Sequence, residues 1–175
     1  MANHGEVVSL IRAKIKAWKE EDDQSRFNLL SGNDKSKFEE QQILLNYLIH
    51  MADLGHNCKK FEICVKWIEL LTEEFWAQGD KEKEKGLTIS FLCDRNKIDV
   101  PGSQVSFLRG FIISSFDCLA DIFPKLKYTM ENAQNNIERW KKLQDQNVKL
   151  IWTPKKEKDK EKIEKKINES NNIEI

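Results

Sequence analysis

Residues that break regular backbone are scarce here: seven glycines and three prolines stand among 175 residues. A strand-and-turn protein of this length needs more of both, because they shape tight turns and end helices. The apolar residues recur instead at helical steps. Val7, Leu10, Ile11, Ile15 and Trp18 fall on one side of a helix, as do Leu126, Met130, Ala133, Ile137, Trp140 and Leu143. No segment reads as a strand, so the fold class is all-α. Apolar residues make up 39% of the chain, enough for a core, which excludes wholesale disorder.

Between those two helices the chain has clear punctuation. The polar stretch from Glu20 to Lys35 breaks the first pattern, with a turn at Gly32 and Asn33. Ser36 and Glu39 form a capping-box pair at the start of the next helix. That helix carries Ile43, Leu44, Tyr47, Leu48 and Met51, apolar on more than one side, which predicts central burial. A third helix after Gly55 takes in Phe61, Cys64, Val65, Trp67, Ile68, Leu71, Phe75 and Trp76. Asp80 to Lys85 reads as a charged, solvated segment ended by Gly86. Leu87 to Pro101 has no period and reads as a long ordered loop. Ser103 is placed to cap a helix running to Phe123, where Pro124 breaks it.

The window from Val105 to Phe123 is long enough to cross a membrane, but Arg109, Asp117 and Asp121 interrupt it. It reads as a buried helix, with no membrane span in this chain. From Lys155 onward the charges alternate with almost no apolar content, as in Lys156, Glu157, Lys158 and Asp159. Such a segment buries little and reads as frayed helix or disorder. The expected organisation is one domain over 1–150 and a Lys/Glu-rich tail over 151–175.

Lys plus Arg and Asp plus Glu both number 29, so no basic excess points to nucleic acid. Cys58, Cys64, Cys93 and Cys118 form no CxxC pair, and no signal peptide opens the chain. Both features favour a reducing, cytoplasmic setting.

The densest polar cluster is His50, Asp53, His56, Cys58 and Cys64. His50 and Asp53 are three apart and share a helix face. A carboxylate among Met51, Ala52 and Leu54 costs several kcal/mol if buried unpaired, which points to a ligand. The alternative is an Asp at a helix end bonding local amides near Gly55. A mononuclear zinc site of His50, Asp53, His56 and a cysteine is conceivable, although the spacing matches no standard pattern. Gln104 offers a donor and an acceptor, with Phe107 one turn on. Together they suit a heterocyclic base, or else Gln104 faces water at a helix start and Phe107 lies in the core.

Four ordered runs then carry a family resemblance. His50-Met51-Ala52-Asp53-Leu54-Gly55-His56 resembles an H-x-A-D element of class I 3′,5′-cyclic nucleotide phosphodiesterases. Glu73-Glu74-Phe75-Trp76-Ala77-Gln78-Gly79-Asp80 is similar to the family's E-E-F-x-x-Q-G-D. Gly86-Leu87-Thr88-Ile89-Ser90-Phe91-Leu92-Cys93-Asp94-Arg95 is similar to its glycine-to-C-D-R run. Ser103-Gln104-Val105-Ser106-Phe107 resembles its S-Q-x-G-F. The resemblance covers residues 1 to 145 and is tightest from His50 to Phe111. It implies the C-terminal helical subdomain of that family's HD-superfamily bundle.

The implied activity is hydrolysis of cAMP or cGMP to the 5′-monophosphate by two divalent metals, zinc and magnesium or manganese. On the resemblance, Asp53 is a metal ligand, Gln104 binds the purine edge, and Phe107 stacks on the base. Leu71 is the opposite wall, while His56, Trp67, Cys64 and Leu92 line the pocket. Met1-Ala2-Asn3-His4 is similar to the end of a T-D-M-x-x-H element, so the chain is expected to begin inside a motif. The N-terminal half of the catalytic domain would then be a required partner. On that expectation no catalytic residue lies in this chain, and the chain alone is inactive. Phe91, Ser106 and Asn57 depart from the family's usual Pro, Gly and Pro. The other reading is a non-catalytic helical binding module that reuses the fold.

Overall fold

The computed structural model describes residues 4–21, 35–148 and 150. The expected turn at Gly32 and Asn33, the residues Met1 to Asn3, and the tail from 151 lie outside the described residues. So do the side chains of Val7, Trp18 and Ser36. Among the described residues every regular element is helical. These are α1 (His4–Glu21), α2 (Lys35–Asp53), α3 (Phe61–Glu84), α4 (Val100–Phe107), α5 (Ile113–Ile122) and α6 (Lys127–Asp145). Short 3-10 turns cover Leu54–Cys58 and Pro124–Leu126, and a π-helical stretch covers Leu108–Ile112.

The chain divides into two compact units. One joins the residues up to Lys59 with Arg109–Gln134; the other joins Lys60–Leu108 with the residues from Asn135 on. In the first unit, Val8, Ile11 and Ile15 of α1 are buried, as are Leu44, Tyr47 and Met51 of α2 and Phe116 and Leu119 of α5. Each such side chain contributes roughly 1.5–3 kcal/mol relative to exposure. Directional bonds fix the register. The Tyr47 hydroxyl donates to the Ser115 carbonyl at 2.7 Å, and Arg12 donates to Cys118 Sγ at 3.1 Å and to the Ser114 carbonyl at 3.2 Å. Leu44, Tyr47 and Met51 are buried and Ile43 and Leu48 half-buried, as expected, but burial of α2 does not extend all round. Leu45 and Ile49 are exposed, Ile49 by 71%, because nothing among the described residues covers that side.

The second unit is organised by α3, which is longer than the apolar pattern indicates. It runs through the charged segment to Glu84, since Lys and Glu are good helix formers even when solvated. Gly86 ends it at φ +67°: its N–H donates to the Lys83 carbonyl and that of Leu87 to Glu82, a Schellman closure. The core holds Phe61, Cys64, Ile68 and Trp76 of α3 with Ile137, Trp140 and Leu143 of α6. Phe61 meets Trp140 edge-to-face at 5.0 Å.

The expected loop is present over 87–99, and α4 begins at Val100. Three attachments bind it to α3. Glu82 accepts from the Ser90 N–H and hydroxyl, both at 2.7 Å. Arg95 pairs with both carboxylate oxygens of Asp80 and lies 5.3 Å over the Trp76 ring. Between these, the Cys93 backbone packs directly on Gly79. Leu92 next to it is held at φ 68°, a left-handed conformation that an L side chain rarely adopts.

The cap of α4 is Asp99, not Ser103. Asp99 Oδ1 accepts from the Gly102 N–H at 3.0 Å, while Oδ2 accepts from Gln144 of α6 at 2.8 Å. Pro101 fits the first turn, where a helix needs no N–H donor, and so moves the start ahead of Ser103. Ser103 instead donates its hydroxyl to the Val100 carbonyl. The apolar window from 105 to 123 is two helices around the π-helical stretch. Val105, Leu108, Ile112, Phe116 and Leu119 in it are buried, while Phe111 is exposed. No described helix is long and apolar enough to cross a membrane.

Candidate functional site

In the first unit, Asp53 is the last residue of α2 and His56 sits in the 3-10 turn that follows. The turn brings them together: the His56 imidazole donates to the Asp53 carbonyl. Burial pushes the His56 pKa below its ordinary value, against the opposing pull of that bond and of the Asp53 carboxylate. His56 is therefore a neutral imidazole at pH 7. Asn57 is fully buried and donates to the Leu54 carbonyl at 3.0 Å, fixing the turn.

Two sequence expectations about Asp53 change. Its side chain is exposed, so the desolvation argument for a ligand does not apply. Nor does it bond the local amides, for it makes no side-chain cap bond to the turn. The carboxylate is presented to solvent at a helix end. Among the described residues no three of His, Cys, Asp and Glu stand together as a metal-holding group. The mononuclear zinc site of His50, Asp53, His56 and a cysteine is thus not formed, because Cys58 and Cys64 are both turned into buried surroundings.

In the second unit, Gln104 and Phe107 occupy one turn of α4, three residues apart, and both are half-buried. The Gln104 Oε1 is buried and has no hydrogen-bond partner among the described residues. A buried amide acceptor left unmatched costs about 1–3 kcal/mol, so native structures rarely retain one without a use. The reading of Gln104 as a water-facing helix-start residue does not fit that burial.

Cys64, Trp67 and Leu71 follow one another along one side of α3. Trp67 is 55% exposed and Leu71 is partly exposed, whereas Cys64 is closed inside the unit. Burial pushes the Cys64 thiol up to about 12, with a bond to Trp140 working the other way. Leu92 is half-buried on the loop. Two cavities bounded by described residues, of about 570 and 230 Å³, are lined by other side chains.

Sequence reasoning missed the residues that hold these elements: Asp80 and Glu82 of α3, which hold the loop, and Asp99 with Gln144 of α6, which hold the start of α4. Asp99 had a readable signal, an Asp two residues before a Pro, which is a helix-start pattern. Glu82 had none, because its partner is eight residues away across a turn.

The comparisons with known proteins agree on one family. The sequence pattern described as 3′5′-cyclic nucleotide phosphodiesterase matches residues 1–133. The human high affinity cAMP-specific and IBMX-insensitive 3′,5′-cyclic phosphodiesterase 8A is 32% identical over 117 residues, 66% of this chain and 14% of that protein. The bovine dual specificity calcium/calmodulin-dependent 3′,5′-cyclic nucleotide phosphodiesterase 1B is 40% identical over 92 residues, 53% of this chain and 16% of that protein. This chain therefore spans about a seventh of such relatives' length. The phosphodiesterase domain of a RhoPDE fusion protein from the choanoflagellate Salpingoeca rosetta superposes with a TM-score of 0.66 at 22% identity, over 84% of this chain and 43% of that one. The helical arrangement is thus that of a phosphodiesterase domain, and the match over 133 residues places the chain in the 3′,5′-cyclic nucleotide phosphodiesterase family.

Proposed function

We propose that this chain forms the base-recognition side of a cyclic nucleotide phosphodiesterase, whose reaction opens cAMP or cGMP to the 5′-monophosphate. The observation that carries the reading is the buried Gln104 Oε1 with no partner, one turn from Phe107. A carboxamide supplies one acceptor and two donors, which match a purine edge, and an aromatic ring supplies a stacking face. Leu71, Trp67 and Leu92 of the same unit would contribute apolar wall. Cys64 stands behind that wall.

The family works with divalent metals, but the described residues do not make a metal centre by themselves. Asp53 would supply one carboxylate ligand, the others coming from the N-terminal half of a catalytic domain. One carboxylate does not hold two metals in place, so the 175-residue chain is inactive alone. The same reading puts it in the reducing cytoplasm, where thiols persist.

The test assays cAMP and cGMP hydrolysis with zinc and magnesium in three forms. These are the chain alone, the chain joined to the first half of a family catalytic domain, and that joined form carrying Gln104→Ala. No turnover is expected alone. Turnover is expected in the joined form, with KM raised at least tenfold by Gln104→Ala. Parent-like turnover by the chain alone, or an unchanged KM in the variant, refutes the reading. A joined form that binds nucleotide without turnover favours the binding module.

A further inference from the structure

A cavity of about 570 Å³ in the second unit lies outside the residues assigned above. Its size falls within the range of small-molecule sites, roughly 300–1,000 Å³. Trp76, Ile98, Pro101 and Val148 give it an apolar body. Arg95 and Lys97 stand on the loop wall and give it a cationic side.

Arg95 and Lys97 are each ion-paired, but to acids outside the cavity lining, Asp80 and Asp94. Arg95 commits Nε and Nη2 to Asp80, which leaves the Nη1 donors. Lys97 holds Asp94 at 3.4 Å with one of three donors, and its side chain is 84% exposed. The one carboxylate in the lining, Asp99, has both oxygens taken, by the Gly102 N–H and the Gln144 amide. What faces an incoming molecule is therefore apolar surface with cationic donors still available. The geometry is held: Arg95 is fixed over Trp76, and Asn147 closes α6 at φ 50°, bending the backbone so that Val148 joins the lining.

We infer that this cavity is a binding site for an amphipathic organic anion, with an apolar body and a single carboxylate or sulfonate head. The body packs between Trp76, Pro101 and Val148, and the head meets Arg95 and Lys97. The site is separate from base recognition by Gln104, so it stands or falls independently of the proposed function.

The test titrates the full chain with 2-naphthoate and with the uncharged 2-naphthamide, followed by amide chemical shifts. Saturable shifts are expected over 95–101 and 144–148, with naphthoate the tighter of the two. Lys97→Glu reverses a charge on an exposed residue and should weaken naphthoate by roughly tenfold, with naphthamide unaffected. Val148→Trp fills the cavity and should abolish both. Shifts confined to the exposed Trp67 and Phe91, or absent from the cavity up to solubility, overturn the inference. So does naphthoate binding indifferent to both variants.

Discussion

The contact between α3 and the loop it carries can be tested at one hydrogen atom. Gly79 is a helical glycine, and in an open helix alanine in its place gains about 1 kcal/mol. Gly79 is not open: a Cβ there would lie 2.7 Å from the Cys93 carbonyl carbon, and the obstacle is backbone. The loop cannot simply back away, because Glu82 holds Ser90 on one side and Asp80 holds Arg95 on the other. Overpacking of this kind costs about 1–3 kcal/mol, and a backbone collision belongs at the upper end. Set against the propensity gain, Gly79→Ala should lose about 2 kcal/mol, which is about 1 M in urea midpoint at a typical slope for this size. Gly110→Ala is the internal control, since a Cβ added there would meet nothing within 4 Å among the described residues. It should be neutral or slightly stabilising. Urea unfolding followed by far-UV circular dichroism and tryptophan fluorescence reads both. A Gly79→Ala midpoint at or above that of the parent chain would refute the argument.

Gln104→Met removes the unmatched acceptor and should raise stability by about 1 kcal/mol; equal or lower thermal stability would mean the oxygen is already satisfied. Tyr47→Phe removes the buried bond from the Tyr47 hydroxyl to the Ser115 carbonyl and should cost about 1–2 kcal/mol in urea unfolding. Burial also raises the Tyr47 pKa above its ordinary 10.0, so its contribution is complete below pH 10 and is lost as pH climbs through the folded value. The Phe variant should flatten that alkaline decline, and an unchanged decline would assign it elsewhere. His56 has the opposite sign: burial lowers its pKa from 6.5, so its contribution is present above that value and is lost as pH falls towards the folded one. Urea midpoints at pH 8 and pH 5 should differ less for His56→Gln than for the parent, and equal differences would count against the buried imidazole.

What the sequence showed and what it hid divide along physical lines. The steps of three and four from Ala133 to Leu143 mark the buried side of α6, because a helix carries its burial pattern in its own period. Asp53 and Gln104 were legible as members of spaced motifs. Their environments were not: Asp53 is exposed and Gln104 has an unmatched oxygen, and both facts depend on what packs nearby. The choice of Asp99 over Ser103 turned on how Pro101 fits a first turn. The exposed side of α2 was misjudged because apolar residues all round a helix state a need for cover without supplying it. The π-helical stretch at Leu108–Ile112 has no residue pattern of its own.

The two ends of the loop around Leu92 are fastened by different physics. Arg95 and Asp80 attract as opposite charges with both side chains partly in water, while Ser90 reaches Glu82 through neutral donors. At molar ionic strength the screening length shrinks to about 3 Å and the charged fastening weakens first. The Ser90 bonds to Glu82 and the packing of Cys93 on Gly79 then carry the segment that holds the left-handed bend at Leu92.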